Sequence, residues 1–437
     1  MQSNVPASWR WLTVVILRFA SLCVAIGTCL LGALSARGAP GDLDAAFGVD
    51  PVAGPGPFGP GVMVSDRHEG SAYARGLALT GDGKIVFALG GTYYVERRLP
   101  DGLPDVSFGT NGIVVAGIFN LADVALRDDG QVVAAGSTFN FFGRYEYKGA
   151  LVQMGPSAGY NTLEIEDLGS RSHEFTRIVM VDGHFIVGGV LHARTNRFTV
   201  SRYLANGGRD LTFGARGRTR VRGLTTPDGP KAIVPLPDGS IVGVGTASAE
   251  DGADFAIFRV DPTGRLDRAF GVSGSVTTTL RGWDQAFDAA VQEDGKIVVA
   301  GTTGDSPTSG HRFVVLRYLP DGNLDPGFGP GGGIVETDFG ADAEAYAVDI
   351  QPDGKIVAAG EAGETLALAR YLPDGTLDLT FGDNGLVMTP LPPGNSVEAR
   401  EMVLQPDGKI LVAGLACREP APAAPCYYPV LARYLSD

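Results

Sequence analysis

Charge is scarce in this 437-residue sequence, where Asp, Glu, Lys and Arg together make up only 19 %. Cysteine (4), histidine (5) and tryptophan (3) are scarcer still. Zinc motifs need Cys and His at close, paired spacings, and here the few that exist are scattered. Cations are outnumbered, 35 Lys and Arg against 49 Asp and Glu. Phosphate backbones and anionic lipid are held by clustered cations, so neither nucleic acid nor a membrane surface is an expected partner. No P-loop or His-Glu-x-x-His occurs, which leaves no motif on which to place a phosphate cradle or a metalloprotease centre. Glycine, by contrast, is abundant at 63 residues. Without a collagen period, that abundance points to short strands joined by tight turns.

The first 38 residues differ from the rest. Arg10 and Arg18 precede an apolar run from Phe19 to Leu34, which ends in Ser35-Ala36-Arg37-Gly38-Ala39. A basic start, a short apolar stretch and small residues describe a secretory signal peptide. The run is shorter than the ~20 residues a bilayer span needs, so cleavage is expected rather than anchoring, with no membrane span in the mature chain. Cleavage after residue 36 leaves 33 cations against 49 acids, a net charge of −16. The predicted location is periplasmic or extracellular. Cys417 and Cys426 are then the remaining cysteines, and nine residues apart in an exported chain they read as a local disulfide.

Residues 39–437 are organised by repetition. Gln-Pro-Asp-Gly-Lys-Ile occurs at 351–356 and 405–410, with relatives whose Asp residues are 82, 129, 182, 238 and 294. Alternating apolar residues precede each copy and a short apolar run ending in Gly follows, which is strand, turn, strand. In Pro352-Asp353-Gly354 the Pro presets φ for a type I turn and the Gly takes a left-handed bulge position, so Gln351 should face Lys355. A second phrase follows each hairpin: Arg-Tyr-Leu-Pro-Asp-Gly-Asn-Leu-Asp-Pro-Gly-Phe-Gly at 317–329, with a close copy at 370–382. Another β run comes after it. Four strands per repeat make a propeller blade.

The two ends are complementary. Residues 41–48 are the back half of the second phrase and residues 433–437 the front half. A solenoid would carry capping repeats there, whereas a ring needs complementary halves. The expected fold is therefore all-β: a seven-bladed β-propeller of four-stranded antiparallel blades, with residues near 61–65 as the outer strand of the last blade, and a monomer. These phrases resemble those of the bacterial delta-60 repeat family, β-propellers of unknown function. The resemblance covers 41–437 and implies a propeller and export, but no activity. The second repeat departs from it most, because around 151–161 the second phrase is lost.

Within the second phrase an Arg and an Asp lie eight apart: Arg97/Asp105, Arg202/Asp210, Arg259/Asp267, Arg317/Asp325 and Arg370/Asp378. A three-residue loop sets such positions opposite each other across a hairpin, where opposite charges attract. The second repeat has Gln153 and Asn161 instead, losing both charges together, as a physical pair requires. Arg433 has no residue eight further on, and the spare Asp44 at the other end is its expected partner. These pairs are read as structural rather than as calcium ligands.

A function would sit on the face opposite the hairpin turns, in loops of variable length. One such loop holds Phe139, Phe141, Phe142, Tyr145 and Tyr147, which suit contact with a protein or glycan. Just before the innermost strands stand Glu69, Glu174, Asp228, Asp284, Asp342 and Glu398. Six acids around one mouth would attract a cation, and oxygen ligands suit calcium, the one cofactor considered. In an acidic protein the same residues also read as a solvated rim. His173 beside Glu174 is a conceivable acid–base pair. The favoured reading is a non-enzymatic binding scaffold. A calcium-assisted hydrolase or lyase at the channel mouth and a structural cell-envelope protein are the alternatives.

Overall fold

The turn phrases form hairpins. In the computed structural model, the glycines at 83, 130, 239, 295, 354 and 408 have φ between +77° and +86°, and Gln351 N donates to Lys355 O at 2.8 Å. One turn differs. At Met180-Val181-Asp182-Gly183, Asp182 (φ +46°) and Gly183 (φ +71°) make a two-residue turn between the partners Val181 and His184. Positive φ at both central residues is the type I′ solution.

The structure describes residues 38–50, 54–55, 60–65, 72–118, 120–140, 146–155, 160–165, 172–250, 252–391, 395–418 and 427–436. The predicted signal peptide lies almost wholly outside them. The chain divides into Met1–Ala39 and Pro40–Asp437, and every described strand is in the second unit. Among the described residues no helix is long and apolar enough to cross a membrane.

Apart from the short pair Val49–Asp50 and Gly54–Pro55, the strands form four-stranded antiparallel sets, inner to outer. The first set is Tyr73–Leu79, Ile85–Gly90, Tyr94–Arg98 and Ile113–Val115. The second is Asn120–Leu126, Val132–Asn140, Glu146–Met154 and Tyr160–Ile165, and the third His173–Val181, His184–Leu191, Arg197–Leu204 and Arg218–Arg220. The fourth (Pro230–Pro235 to Ser275–Thr278) and fifth (Trp283–Val291 to Ile334–Thr337) are joined by one parallel bridge, Ala253 to Trp283. The sixth runs from Ala343–Ile350 to Leu386–Pro390. The seventh takes Asn395–Leu404, Ile410–Arg418 and Tyr427–Tyr434 from the C-terminus and Val62–Val64 from the N-terminal region, with Val62 opposite Ala432. In the second set the lost phrase is replaced by a direct hairpin, Met154 opposite Tyr160, and Gln153 lies opposite Asn161.

Alternation along each strand sends successive side chains to opposite faces, so each set shares a core with both neighbours. Ala358 packs with Val298 and Phe313 of the fifth set, while Val357 packs with Val412 of the seventh. Leu411 and Leu431 of the seventh pack with Phe87 and Leu89 of the first.

The second phrase ties neighbouring sets together. Arg Nε reaches the paired Asp at 2.8 Å for Arg97/Asp105, 2.7 Å for Arg202/Asp210, 2.8 Å for Arg317/Asp325 and 2.9 Å for Arg370/Asp378. Arg433 Nε lies 2.9 Å from Asp44 across the two ends. Arg259 Nε stands 3.4 Å from Asp267 and its Nη2 turns to Asp238 at 2.5 Å. The Lys of the turn phrase adds a second cation, as in Lys296–Asp325 at 3.5 Å and Lys409–Asp44 at 3.4 Å. Although burial alone would raise it, hydrogen bonds from Thr380 and the charges of Arg370 and Lys355 hold the Asp378 carboxyl down at about 2.

Two further roles of the phrase follow from its register. Arg97, Arg202, Arg317 and Arg370 stack on the Phe eleven residues on, as Arg317 over Phe328 at 4.4 Å, and Arg433 stacks on Phe47 of the other half-phrase at 4.4 Å. The Arg Nη1 then donates to a carbonyl of the next set: Arg202 to Pro262 at 3.1 Å, Arg259 to Pro320 at 3.2 Å, Arg317 to Pro373, and Arg433 to Pro100 of the first set. The neighbouring Tyr reaches the other way, Tyr318 to Thr278 (2.8 Å) and Tyr434 to Thr389 (2.9 Å). At the ends, Gly41 N donates to Leu435 O, Asp44 N to Arg433 O and Leu435 N to Asp42 O, all within 2.9 Å. The bonds made inside one continuous phrase elsewhere, such as Gly322 N to Leu319 O, are made there between two chain ends.

Candidate functional site

Every innermost strand carries a β-bulge at the same step. The register slips between Ala74/Gly76, Leu121/Asp123, Phe175/Arg177, Pro230/Ala232, Ala286/Asp288, Ala345/Ala347 and Ala399/Glu401. A bulge leaves one residue unpaired and re-aims its side chain. The unpaired residues are Arg75, Ala122, Thr176, Lys231, Phe287, Tyr346 and Arg400, and all seven line one cavity of about 460 Å³. The next residue of each strand makes a second tier, in which Asp123, Arg177, Asp288 and Glu401 line a further cavity of about 400 Å³. Gly76 holds this position in the first set because a Cβ there would meet Asp123 Cα at 2.7 Å.

The cavity mixes charge and aromatic surface. Lys231 Nζ lies 2.5 Å from Asp228, Arg177 Nη2 lies 3.3 Å from Glu401, and Arg400 pairs with Glu398. Arg400 also stacks on Tyr346 at 4.7 Å, whose ring is 4.7 Å from Phe287. Arg75 contacts the Asn120 amide oxygen at 3.4 Å and the Tyr73 ring at 5.6 Å. Burial, with Glu398 and Glu344 nearby, pushes the Glu361 carboxyl up to about 8. Below, burial also raises Asp288, to about 7, and raises Asp123 and Glu401, with the Arg177 charge opposing the rise in each. Asp123 and Asp288 are clips as well, accepting the amides of Ile178 and Val348 in the following set at 2.9 Å each.

Of the six acids expected at the mouth, Glu174, Asp228 and Glu398 line this cavity. Asp284 does not. It is fully buried and accepts Leu280 N and Thr303 Oγ1, each at 2.5 Å, so it caps its own loop. Asp342 is exposed away from the cavity and accepts Gly310 N at 3.0 Å, and Glu69 lies outside the described residues. The alternation of strand side chains scatters acids that are neighbours only in repeat position. Among the described residues no three His, Cys, Asp or Glu are grouped to hold a metal ion.

The histidine beside Glu174 is His192, not His173. His192 Nε2 lies 2.6 Å from Glu174 Oε1, and this bond raises its pKa. His173 is buried, 2.8 Å from Thr199 Oγ1 and edge-on to Phe175. Adjacent strand residues face opposite ways, while His192 follows the neighbouring strand, whose Val190 lies opposite Glu174. Of the aromatic loop, Phe141, Phe142, Tyr145 and the Phe139 side chain lie outside the described residues, and Tyr147 stands 6.4 Å from the His192 ring. Cys417 is disulfide-bonded, and Cys426 lies outside the described residues.

The bulge residues were missed because no local sequence signal marks them. Their residue types follow no common pattern, Arg75 and Arg400 alone agreeing, and only their distance of six or seven residues before the turn Asp could have found them.

Residues 236–270, 292–328 and 351–381 match the family model described as "Domain of unknown function (DUF5122) beta-propeller", each stretch running from a turn phrase to its second phrase. With the four-stranded antiparallel sheets, this gives an all-β chain with three stretches similar to a β-propeller family of unknown function. No curated protein matches significantly. Among solved structures, virginiamycin B lyase from Staphylococcus aureus is similar at 11 % identity, covering 86 % of this chain and 98 % of that one, TM-score 0.45. YCF48 from Cyanidioschyzon merolae is similar at 9 % identity (85 % and 98 % covered, TM-score 0.47). Aldose sugar dehydrogenase from Streptomyces coelicolor is similar at 14 % (72 % and 94 % covered, TM-score 0.41).

Proposed function

We propose that the chain is an exported, non-enzymatic seven-bladed propeller that holds a protein or glycan partner at the mouth of its channel. Each four-stranded set is one blade, and Val62–Val64 closes the ring as the outer strand of the last. The core shared by the seventh and first sets and the phrase reassembled from both chain ends support closure. The predicted signal peptide and the disulfide at Cys417 support export.

One observation carries the binding reading. Seven equivalent positions converge on one cavity, yet they hold Arg, Ala, Thr, Lys, Phe, Tyr and Arg. A position that only builds the blade keeps its residue, as the Arg, Asp and Phe of the second phrase do. A varied ring of guanidinium, aromatic and carboxylate groups instead offers directed polar and stacking contacts in a cavity of about 460 Å³, a volume within the range of small-ligand pockets. Such a pocket would take a terminal sugar or a polar peptide side chain, with the surrounding loops covering the rest of the partner.

The test is to label the protein and probe it on glycan and peptide arrays beside an Arg75→Ala/Arg400→Ala variant. Expected is a discrete set of bound probes, each weakened at least about tenfold in the variant and competed by the free probe. An unchanged profile in the variant, silence on both arrays, or cleavage of a captured glycan would each overturn the reading.

A further inference from the structure

Where the outer strand Arg218–Arg220 of the third set meets the fourth set, a groove of about 1290 Å³ is lined, among the described residues, by seven arginines and one acid, Asp261. The chain as a whole has 35 Lys and Arg against 49 Asp and Glu, so one-fifth of its cations are gathered on an otherwise acidic protein. Arg216, Arg220 and Arg222 come from the third set and Arg265 and Arg268 from the fourth, all exposed, with Arg209 half-buried. Arg218 is buried beneath them, donating to Ser201 Oγ at 3.3 Å. Asp261 is engaged in its own turn, accepting the amides of Thr263 and Arg265 at 2.9 Å each.

The fold does not ask for these arginines. The place of Arg220 is taken in the first, fourth, fifth and sixth sets by Val115, Thr277, Glu336 and Met388. The place of Arg268 is taken by Val106, Leu211, Pro326 and Leu379. Arg216 has φ +58°, a left-handed position that Asn111, Ser273 and Asn384 fill elsewhere and that suits Asn better than Arg. Like charges collected in one groove repel one another and destabilise the compact state. Two runs of arginine from different repeats, each absent from the other repeats, meet across one junction.

We infer that this groove binds an anionic polysaccharide through its sulfate or carboxylate groups. The planar guanidinium fork matches both oxyanions with paired hydrogen bonds. Among the described residues no aromatic side chain lines the groove, so they offer no platform on which unpaired bases could stack. A nucleic acid duplex, with closely spaced phosphates, would press its charge against the acidic surface beyond the groove. A flexible glycan chain can place its anions in the groove alone.

Titration of the whole protein with heparin, polygalacturonate and neutral dextran at several salt concentrations tests this, with duplex DNA and poly-dT alongside. Heparin separates the sulfate source from the carboxylate-only polygalacturonate. Expected is binding to one or both acidic glycans, none to dextran, and affinity that falls with salt. The variant Arg216→Gln/Arg220→Gln/Arg268→Gln changes only exposed residues and should keep its melting point. It should bind at least about thirtyfold more weakly at low salt, with a salt slope reduced by roughly one per arginine removed. The Arg75→Ala/Arg400→Ala variant should bind these glycans unchanged, which separates this groove from the channel site. No binding to either acidic glycan, equal binding by the triple variant, or tighter binding of DNA than of both glycans would overturn the inference.

Discussion

Replacing Arg433 by Met removes the side chain that holds the two chain ends together. Three interactions go: the bond from Nε to Asp44 at 2.9 Å, the stacking on Phe47 at 4.4 Å, and the donation to the Pro100 carbonyl. Breaking a buried ion pair by removing one partner costs about 3–5 kcal/mol. Lys409, 3.4 Å from Asp44, stays as a partial counter-ion and favours the lower figure. Arg317→Met is the matched control, since it loses the Asp325 bond (2.8 Å), the Phe328 stack (4.4 Å) and the Pro373 carbonyl, and keeps Lys296 at 3.5 Å. The two should therefore lose about the same local energy but express it differently. At Arg317 the phrase is covalently continuous. At Arg433 the lost energy lowers the cost of releasing the N-terminal strand, and ~3 kcal/mol is roughly a hundredfold in the opening equilibrium. Native-state hydrogen exchange reads this at Gly41, Asp44, Ser65 and Arg433, whose amides donate across the ends, and at Gly322, Asp325 and Arg317, their counterparts within one phrase. The end amides should exchange about a hundredfold faster in Arg433→Met, and the counterparts should show no comparable selective loss in Arg317→Met. If the end amides speed up less than about tenfold, the ring is not latched by this pair.

Stability should fall as pH rises from about 5 to 8. Burial raises Asp123, Asp288 (to about 7) and Glu401, so the folded state binds more protons than the unfolded chain across that window, and stability declines with pH. The paired carboxyls act at the other end: Asp44, Asp105, Asp325 and Asp378 lie below their ordinary value, so their contribution is complete above about pH 4 and is lost toward pH 2. Urea midpoints at pH 3, 5 and 8 should peak at 5, with Asp288→Asn flattening the 5-to-8 limb; a higher midpoint at pH 8 than at 5 contradicts the assignment. Gly102→Ala should destabilise by about 2 kcal/mol more than Gly83→Ala. Both have positive φ, but a Cβ at Gly102 would meet Phe47 at 2.8 Å, whereas at Gly83 the nearest atom is Pro100 Cγ at 3.5 Å. Chemical denaturation of the two variants decides it, and equal losses would mean that the Phe47 contact yields.

What could be read ahead of the structure was whatever repeats and is local. The Pro-Asp-Gly turn sets its own backbone, and Arg and Asp eight apart need only one hairpin to meet, so both were legible, including the pairing of Asp44 with Arg433. The stacking Phe and the accepting carbonyl of the next set were written in the same phrase, but their meeting depends on how sets pack. The cavity lining was harder, because its residues follow no common type from repeat to repeat and bulges change which of two neighbours faces inward. Hence Asp284 was placed at the mouth when it caps a buried loop, and His173 was set beside Glu174 when His192 stands there.

Repetition also separates scaffold from site in this protein. Residues that recur in nearly every set, such as Arg370, Asp378 and Phe381, face one another in ion pairs and stacking contacts that hold the set together. Residues that break the repetition are not explained by the blade and must be explained by something else. Two such groups exist among the described residues. The bulge residues differ set by set around one cavity, and the arginines of the third and fourth sets oppose each other across one groove. The first breaks the rotational equivalence of the sets where their inner strands converge, the second at a single junction on the outside. A scaffold whose only task was to fold would need neither departure, and the Arg216 backbone at φ +58° shows that at least one was made against local preference.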